Sequence, residues 1–356
     1  MSQRLLAAFL LALAGSVQAA DDSILTATER GMAIEAGRDL ATYIARPAGM
    51  LLDVLPTGGS TDNVQRLPAQ SGMRLALVQA DVYGALLDQA AAGDSAALRL
   101  AKPLRVVMPL YDEEVYFVAR ADSPLQFVSD IRASRINIVP PGSGSALTAT
   151  NLYRSMFGTA PEPGTTTTLS NEEALMRLTT DKSIDVVVVV AGQPARLFAE
   201  MKAQAARYIK LLPLDPMAPE TMEVEAPYSR AVVRSSVYSK WLATDVPSFA
   251  VQSLLMTADA HAPKARDALV RFAQSMCENF DALKAAGHPK WREVSLGQPP
   301  LPTGWRYYAP TRKVLSTCAG AAEVRMVALI TAAAEAQTHR CTPDRAVLGL
   351  CRAAAP

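Results

Sequence analysis

Val54-Leu55-Pro56-Thr57-Gly58-Gly59-Ser60-Thr61-Asp62-Asn63 is the stretch on which the fold turns. Leu51–Pro56 is an apolar, strand-like run that meets two glycines, and Ser60-Thr61-Asp62-Asn63 then supplies N-cap chemistry for a helix. A strand feeding a helix through a glycine turn is the repeating unit of α/β sheets. Small residues at such a turn let a ligand approach the backbone. The helix start adds unpaired N–H groups with a partial positive charge.

The same unit recurs on either side. Before it, Ile24–Thr28 reads as a strand and Met32–Ala45 as a helix; after it come a strand at Leu75–Gln79 and a helix over Asp81–Ala92. Arg105–Arg120 is β-rich, with an interruption expected at Pro109-Leu110-Tyr111-Asp112. Beyond Ala121-Asp122-Ser123-Pro124 the pattern restarts with a short helix (Phe127–Ile131) and a strand (Ile136–Val139). Pro140-Pro141-Gly142-Ser143-Gly144-Ser145 then turns into a helix running through Met156. Ile184–Val190 is nearly all β-branched, as a strand covered on both faces should be. Gln193–Ala206 reads as helix, Ile209–Leu214 and Phe249–Met256 as strands, and Pro263–Ala285 as a long amphipathic helix. Two copies of one α/β pattern predict parallel sheets with helices on both faces, in two lobes with a cleft between them.

The ends differ in character. Arg4, the apolar run Leu5–Ala14 and the small residues Gly15-Ser16-Val17-Gln18-Ala19 have the order of a secretory signal peptide, expected over residues 1–20. The run is too short to span a bilayer. Without Arg4 the 35 basic residues fall to 34, against 34 acidic ones, so no basic surplus points to nucleic acid or to an anionic membrane surface. Export places the four cysteines (Cys277, Cys318, Cys341 and Cys351) in an oxidising compartment. Three pairings are open, and Cys341–Cys351 with Cys277–Cys318 is favoured; no C-x-x-C pair supports zinc. Ala321–Ala336 reads as a helix within a Cys-bearing extension, residues 310–356, expected to pack on the first lobe.

Three strand-to-helix turns, at Gly58–Asn63, Gly142–Ser145 and Ala191-Gly192-Gln193-Pro194, should line the cleft, because ligands of open α/β sheets bind beyond the carboxyl ends of the strands. Enzymatic motifs fail: Gly142-Ser143-Gly144-Ser145-Ala146 is neither a G-x-S-x-G elbow nor a phosphate loop. Three histidines leave little for a triad or a metal. No catalytic residue, metal or cofactor is expected. Asp112-Glu113-Glu114 reads as a solvated rim, with Tyr111 beside it as a cleft-lining residue, and Arg207-Tyr208 as surface.

Taken in series, several of these pieces resemble the TAXI family of TRAP-transporter solute receptors. They are the Val54–Asn63 stretch, Leu77-Val78-Gln79-Ala80-Asp81-Val82, Met108–Val115, Pro141–Ser145, Asp185–Pro194 and Leu211-Leu212-Pro213-Leu214-Asp215. The likeness runs from Ile24 to Tyr308. It implies a type II periplasmic-binding-protein fold, with residues 21–122 and 224–309 forming one lobe and 123–223 the other. It further implies a periplasmic receptor that closes on a small carboxylate of the glutamate or 2-oxoglutarate kind and passes it to a TRAP permease. By position it puts Gly58, Gly59, Ser60, Gln79, Asp81, Gly142, Ser143, Gly144, Ser145, Ala191, Gly192 and Gln193 on the cleft segments, with Tyr238 retained nearby. Two departures stand out: Gly31-Met32-Ala33-Ile34 replaces the family's Gly-Thr-Tyr-Tyr, and Arg234 appears in Val233-Arg234-Ser235-Ser236-Val237-Tyr238. A ligand sensor presenting the same fold to a membrane signalling partner is the alternative.

Overall fold

The computed structural model describes residues 22–29, 31–69, 74–259 and 262–318. The expected signal peptide, the Ala321–Ala336 helix and the Cys341–Cys351 pair lie outside the described residues. The first half opens with β1 (Asp22–Leu25), α1 (Met32–Asp39, continued by a π-helical turn, Leu40–Ala45), β2 (Leu52–Leu55) and α2 (Ser60–Arg66). It continues through β3 (Arg74–Gln79), α3 (Ala80–Ala91) and α4 (Ser95–Ala101) to the long strand β4 (Leu104–Arg120). The second half holds β5 (Ile136–Asn137), α5 (Gly144–Phe157), β6 (Thr166–Thr167), α6 (Asn171–Thr179), β7 (Val186–Ala191), α7 (Arg196–Ala199) and β8 (Ile209–Leu211). The chain returns through α8 (Pro219–Met222), β9 (Tyr228–Val233) and β10 (Val246–Ala258), and α9 (Pro263–Ala286) closes the series.

One mixed ten-stranded sheet runs through the molecule in the order β2-β1-β3-β10-β4-β7-β5-β6, with β8 on β4 and β9 on β10. The triplets β2-β1-β3 and β6-β5-β7 are internally parallel, and each is flanked by an antiparallel strand of the crossing pair β4 and β10. This is the two-lobed α/β architecture of the type II periplasmic-binding-protein fold expected from the sequence. The expectation of parallel sheets alone is corrected: the strands that carry the chain between lobes run antiparallel to their neighbours.

Alternation explains the burial. In β3, Leu75 and Leu77 enter a core with Phe272, Met276 and Trp291, while Ala76 and Val78 enter a second core with Tyr83, Val106 and Phe117. In β7, Val186 and Val188 join that second core and Val187 and Val189 a third, with Phe198 and Trp241. Strands covered on both faces must be apolar at every position, and each such Val contributes roughly 1.5–3 kcal/mol on burial. Val233, Tyr238, Trp241 and Val246, from a stretch expected in the first lobe, pack in this third core.

Several expected boundaries move. β4 is not interrupted at Pro109–Asp112; the strand continues and the irregularity is a register shift, Gln252 facing Asp112 and Leu254 facing Pro109. Pro109 lacks an N–H, so a bulge there leaves no ladder donor missing. The helix expected over Gln193–Ala206 is reduced to α7 and a 3-10 turn, Ala203–Arg207, since Pro194 has no N–H to donate and restricts the backbone before it. The Ile136–Val139 strand stops at Asn137, Val139 being in the left-handed region at φ 57°. Residues 309–318 are helical; Leu315 is buried beside α9, and Cys277 and Cys318 form a disulfide with a Cα separation of 5.8 Å.

Candidate binding site at the lobe junction

The turn that opens α2 is set by side chains. Asn63 is fully buried and its Nδ2 donates to the carbonyls of Thr26 (2.6 Å) and Leu77 (2.8 Å), tying the turn to the ends of β1 and β3. Thr57 Oγ1 lies 2.8 Å from Asn63 Oδ1 and accepts from Gly59 N, while Asp62 accepts from Gly58 N. Gly59 takes φ 108°, a conformation that side chains disfavour. Ser60 does not cap α2. Its hydroxyl accepts from the backbone N–H of Gln79 (3.0 Å), joining two of the expected cleft segments.

The second-lobe turn is capped by a side chain: Ser143 Oγ accepts from Ala146 N (3.1 Å) and donates to the Pro140 carbonyl. Gly142, at φ 90°, is exposed with open space around its Cα, and Ser145 is half-buried. The two turns then meet across the junction. A Cβ on Gly59 would lie 3.5 Å from Gly144 N, and one on Gly144 would lie 1.9 Å from Gln79 Oε1 and 2.8 Å from Ser60 Oγ. Below them Asp81, 2 % exposed, accepts from Thr148 Oγ1 on α5 (2.6 Å) and from Tyr228 OH on β9 (3.0 Å). Burial lifts the Asp81 carboxyl above its ordinary range, against these hydrogen bonds.

A third contact involves the turn after β7. A Cβ on Gly192 would lie 2.3 Å from Met32 Sδ and 3.2 Å from Lys290 Cγ. Gln193 is fully engaged: its backbone N–H and Nε2 donate to the two oxygens of Glu114, and its Oε1 accepts from Arg234 N. Ala191 pairs with Glu114 at the end of β7.

Glu113 and Glu114 overturn the solvated-rim expectation. They are 9 % and 3 % exposed, because β4 at this point is a central strand covered from both lobes. Glu113 accepts from Gln79 Nε2 (2.7 Å), while Glu114 is held by Gln193 and the buried ammonium of Lys290, which also donates to Glu293. Burial first, then the charges of Asp81 and Glu114, push Glu113 up to about 7. Glu114 is also raised by burial, with Lys290 pulling the other way.

Tyr111 and Tyr238 sit in cores. Tyr111 is buried edge-on against Trp291, and Tyr238 packs with Phe198 and Trp241, its hydroxyl 2.8 Å from that of Tyr116 and accepting from Ala195 N. Arg234 is exposed, as are Arg207 and Tyr208. Sequence reasoning missed Lys290, Thr148 and Tyr228, which come from remote segments with no motif of their own. Asn63 carried a signal only as a capping residue. Among the described residues no group of three His, Cys, Asp or Glu side chains converges as a metal site requires, and no helix is long and apolar enough to cross a membrane.

Solved structures similar to this chain include a periplasmic transporter (11 % identity, 84 % of this chain and 94 % of that one, TM-score 0.48) and the periplasmic binding protein BugD (13 %, 76 % and 84 %, TM-score 0.46). The arginine-, lysine-, histidine-binding protein ArtJ from Geobacillus stearothermophilus is also similar (12 %, 79 % and 97 %, TM-score 0.44). The model of the NMT1-like family matches residues 24–299, well over half of the 356 residues, and the chain belongs to that family.

Proposed function

We propose that this protein is a periplasmic solute receptor that captures a small molecule by closing its two lobes and hands it to a membrane permease. The observation that supports this reading is the direct glycine-mediated contact of the lobes, Gly59 with Gly144 and Gly192 with Met32. Such contacts hold only in a closed arrangement, and a ligand touching both lobes favours that state by its differential affinity. Gly58, Gly59, Ser60, Gln79, Asp81, Gly142, Ser143, Gly144, Ser145, Ala191, Gly192 and Gln193 form the binding surface, and Tyr111 and Tyr238 support it from the cores. The fourteen-residue helix α5 directs its N-terminal N–H groups at a carboxylate of the cargo, of the kind the TAXI resemblance implies, and the permease is then of the TRAP type.

A thermal-shift screen of the protein from Asp21 onward, after unfolding and refolding to strip bound solute, tests the reading. Amino acids, dicarboxylates, keto acids and sugars form the panel. At a hundredfold excess over Kd a true ligand adds about 2.7 kcal/mol of stability. Selective stabilisation by one class, with a smaller radius of gyration in solution scattering, is the expected result. A flat response across the panel counts against capture.

A further inference from the structure

The buried polar groups at the lobe junction are one proton short. Glu113 lies on β4 between the lobes, 9 % exposed, and one of its carboxyl oxygens accepts from Gln79 Nε2 at 2.7 Å. The other end of that amide is unsatisfied. Gln79 is 4 % exposed, and its Oε1 is buried against Gly144 with no hydrogen-bond partner among the described residues. A primary amide brings two N–H donors and one acceptor oxygen, whereas an ionised carboxylate only accepts. While Glu113 is ionised, neither setting of the amide works. With Nε2 on the carboxylate Oε1 is orphaned, and with Oε1 there two acceptors face each other. A proton on Glu113 removes the conflict. Its O–H donates to Oε1, and the turned amide carries its N–H groups into the corner beside Gly144, where the next polar atom is Ser60 Oγ.

The lobes control how dry this pair is. Gln79 and Asp81 lie at the start of α3 in the first lobe, and Gly144 and Thr148 on α5 in the second. Gly144 stands on Gln79, and Thr148 Oγ1 donates to Asp81 at 2.6 Å. Withdrawing α5 uncovers both residues and lets water reach Glu113 behind them. Asp81 on α3 and Glu114 on β4 face Glu113 with acidic groups, Lys290 on the 3-10 turn Pro289–Glu293 opposes them, and the Tyr111 hydroxyl is buried nearby. Val251 of β10, which pairs with Glu113, and Thr148 of α5 bring no charge. Lys290 is already committed to Glu114 and Glu293.

We propose that closing the lobes takes up one proton from solvent, carried on the Glu113 carboxyl and donated to Gln79 Oε1, and that opening returns it. The junction is a latch worked by protons. It shares the moving lobes with the capture reading, goes beyond it and needs no solute. Burial first, then the charges of Asp81 and Glu114, hold the Glu113 carboxyl up to about 7 in the closed junction, and hydration on opening lowers it. A closure that raises a carboxyl's affinity for a proton is itself favoured by protons, so its support is lost as pH rises through about 7. Each pH unit by which opening lowers the titration point makes closure about tenfold less favourable above that range. Asp81, lifted by burial under the same helix, acts with the same sign.

Solution scattering of the refolded protein without solute, from pH 5.5 to pH 8.5, tests the latch. The expected result is a compact particle at the acid end and a larger radius of gyration at the alkaline end, with a midpoint near 7. Glu113→Gln supplies a permanent N–H donor and no charge, so it should stay compact throughout. Gly144→Ala should stand open at both ends of the range, since its contact is lost whatever Glu113 carries. A wild-type radius independent of pH overturns the inference. So does an unchanged pH response in Glu113→Gln, which would assign the proton to another group such as Asp81. A Gly144→Ala protein that compacts like the wild type also overturns it, because closure would then not run through this contact. A flat solute panel with pH-dependent compaction removes capture and leaves the latch; the reverse pattern removes the latch alone.

Discussion

Gly144 stands against Gln79 so closely that a single added methyl would lie 1.9 Å from the amide oxygen. These residues belong to different lobes, and Gln79 cannot swing away freely because its Nε2 is bonded to the buried Glu113. The junction therefore leaves room for less than one added carbon atom at this point.

Gly144→Ala should accordingly bias the protein toward an open form. Gly144 lies in α5 without positive φ, so alanine favours the helix itself and the effect is confined to the junction. A larger radius of gyration in solution scattering and a loss of about tenfold or more in ligand affinity are expected, one tenfold step being about 1.4 kcal/mol. Adding Gln79→Ala should restore compactness, since it removes the obstructing atom. Wild-type scattering from Gly144→Ala alone would show that the contact is not limiting.

Stability should depend on pH through Glu113. Its folded-state carboxyl titrates at about 7 against an ordinary 4.5, because burial penalises the charge. Between those values the folded state holds a proton that the unfolded state has lost, so stability falls as pH rises through this window. The contribution is at most about 3 kcal/mol across it. Urea denaturation at pH 5 and pH 8 should show the decline, and Glu113→Gln should flatten it. A Glu113→Gln protein with the same slope would assign the dependence elsewhere, for example to Asp81, which is raised in the same direction.

Removing one partner of the buried Lys290–Glu114 pair should be costly. Lys290→Met leaves Glu114 charged and enclosed, a loss of roughly 3–5 kcal/mol, whereas Lys290→Met with Glu114→Gln should recover much of it. Chemical denaturation of the two variants checks this, and equal stability would mean that water reaches Glu114 once the lysine is gone.

The interlobe hydroxyl of Thr148 should be worth about 1.5–3 kcal/mol, as a hydrogen bond to a charged group. Thr148→Val keeps the volume and removes the donor. Its midpoint in urea should fall without a change in slope, and Tyr228→Phe should behave alike, because both donate to the same oxygen of Asp81.

Reduction gives a further measurement. The Cys277–Cys318 bond closes a stretch of 41 residues, for which the loop-entropy model gives about 4 kcal/mol. Cys277→Ser with Cys318→Ser should lower the thermal midpoint, and dithiothreitol should then have no further effect through this bond.

Much of this fold is legible in the chain because its signals are local. The valine run at 186–190 announces a doubly covered strand, and the glycine turns at Gly58–Gly59 and Gly142–Gly144 announce helix starts. The junction is less legible. Asp112-Glu113-Glu114 looks like a solvated triplet because composition does not reveal that β4 is flanked on both sides just there. Lys290 follows Glu114 by 176 positions, and nothing in the intervening sequence signals that they touch. Asn63 reads as a cap because its residue type suits one, although its amide is turned inward to the carbonyls of Thr26 and Leu77. The Gln193–Ala206 helix follows from side-chain pattern alone, which is blind to what Pro194 does to the backbone.

β4 and β10 lie side by side in the middle of the single ten-stranded sheet, β10 pairing with β3 and β4 with β7, so they join its two parallel triplets. Neither half of the chain therefore holds both of the strands that join the triplets. A fragment ending near Arg120 would lack β10, and one beginning near Ala121 would lack β4, so each would expose the open flank of a parallel triplet. Expressed separately, the halves should aggregate; mixed during refolding, they should find one another. A chain whose two halves share one sheet should unfold in a single cooperative step, and limited proteolysis should leave no stable half.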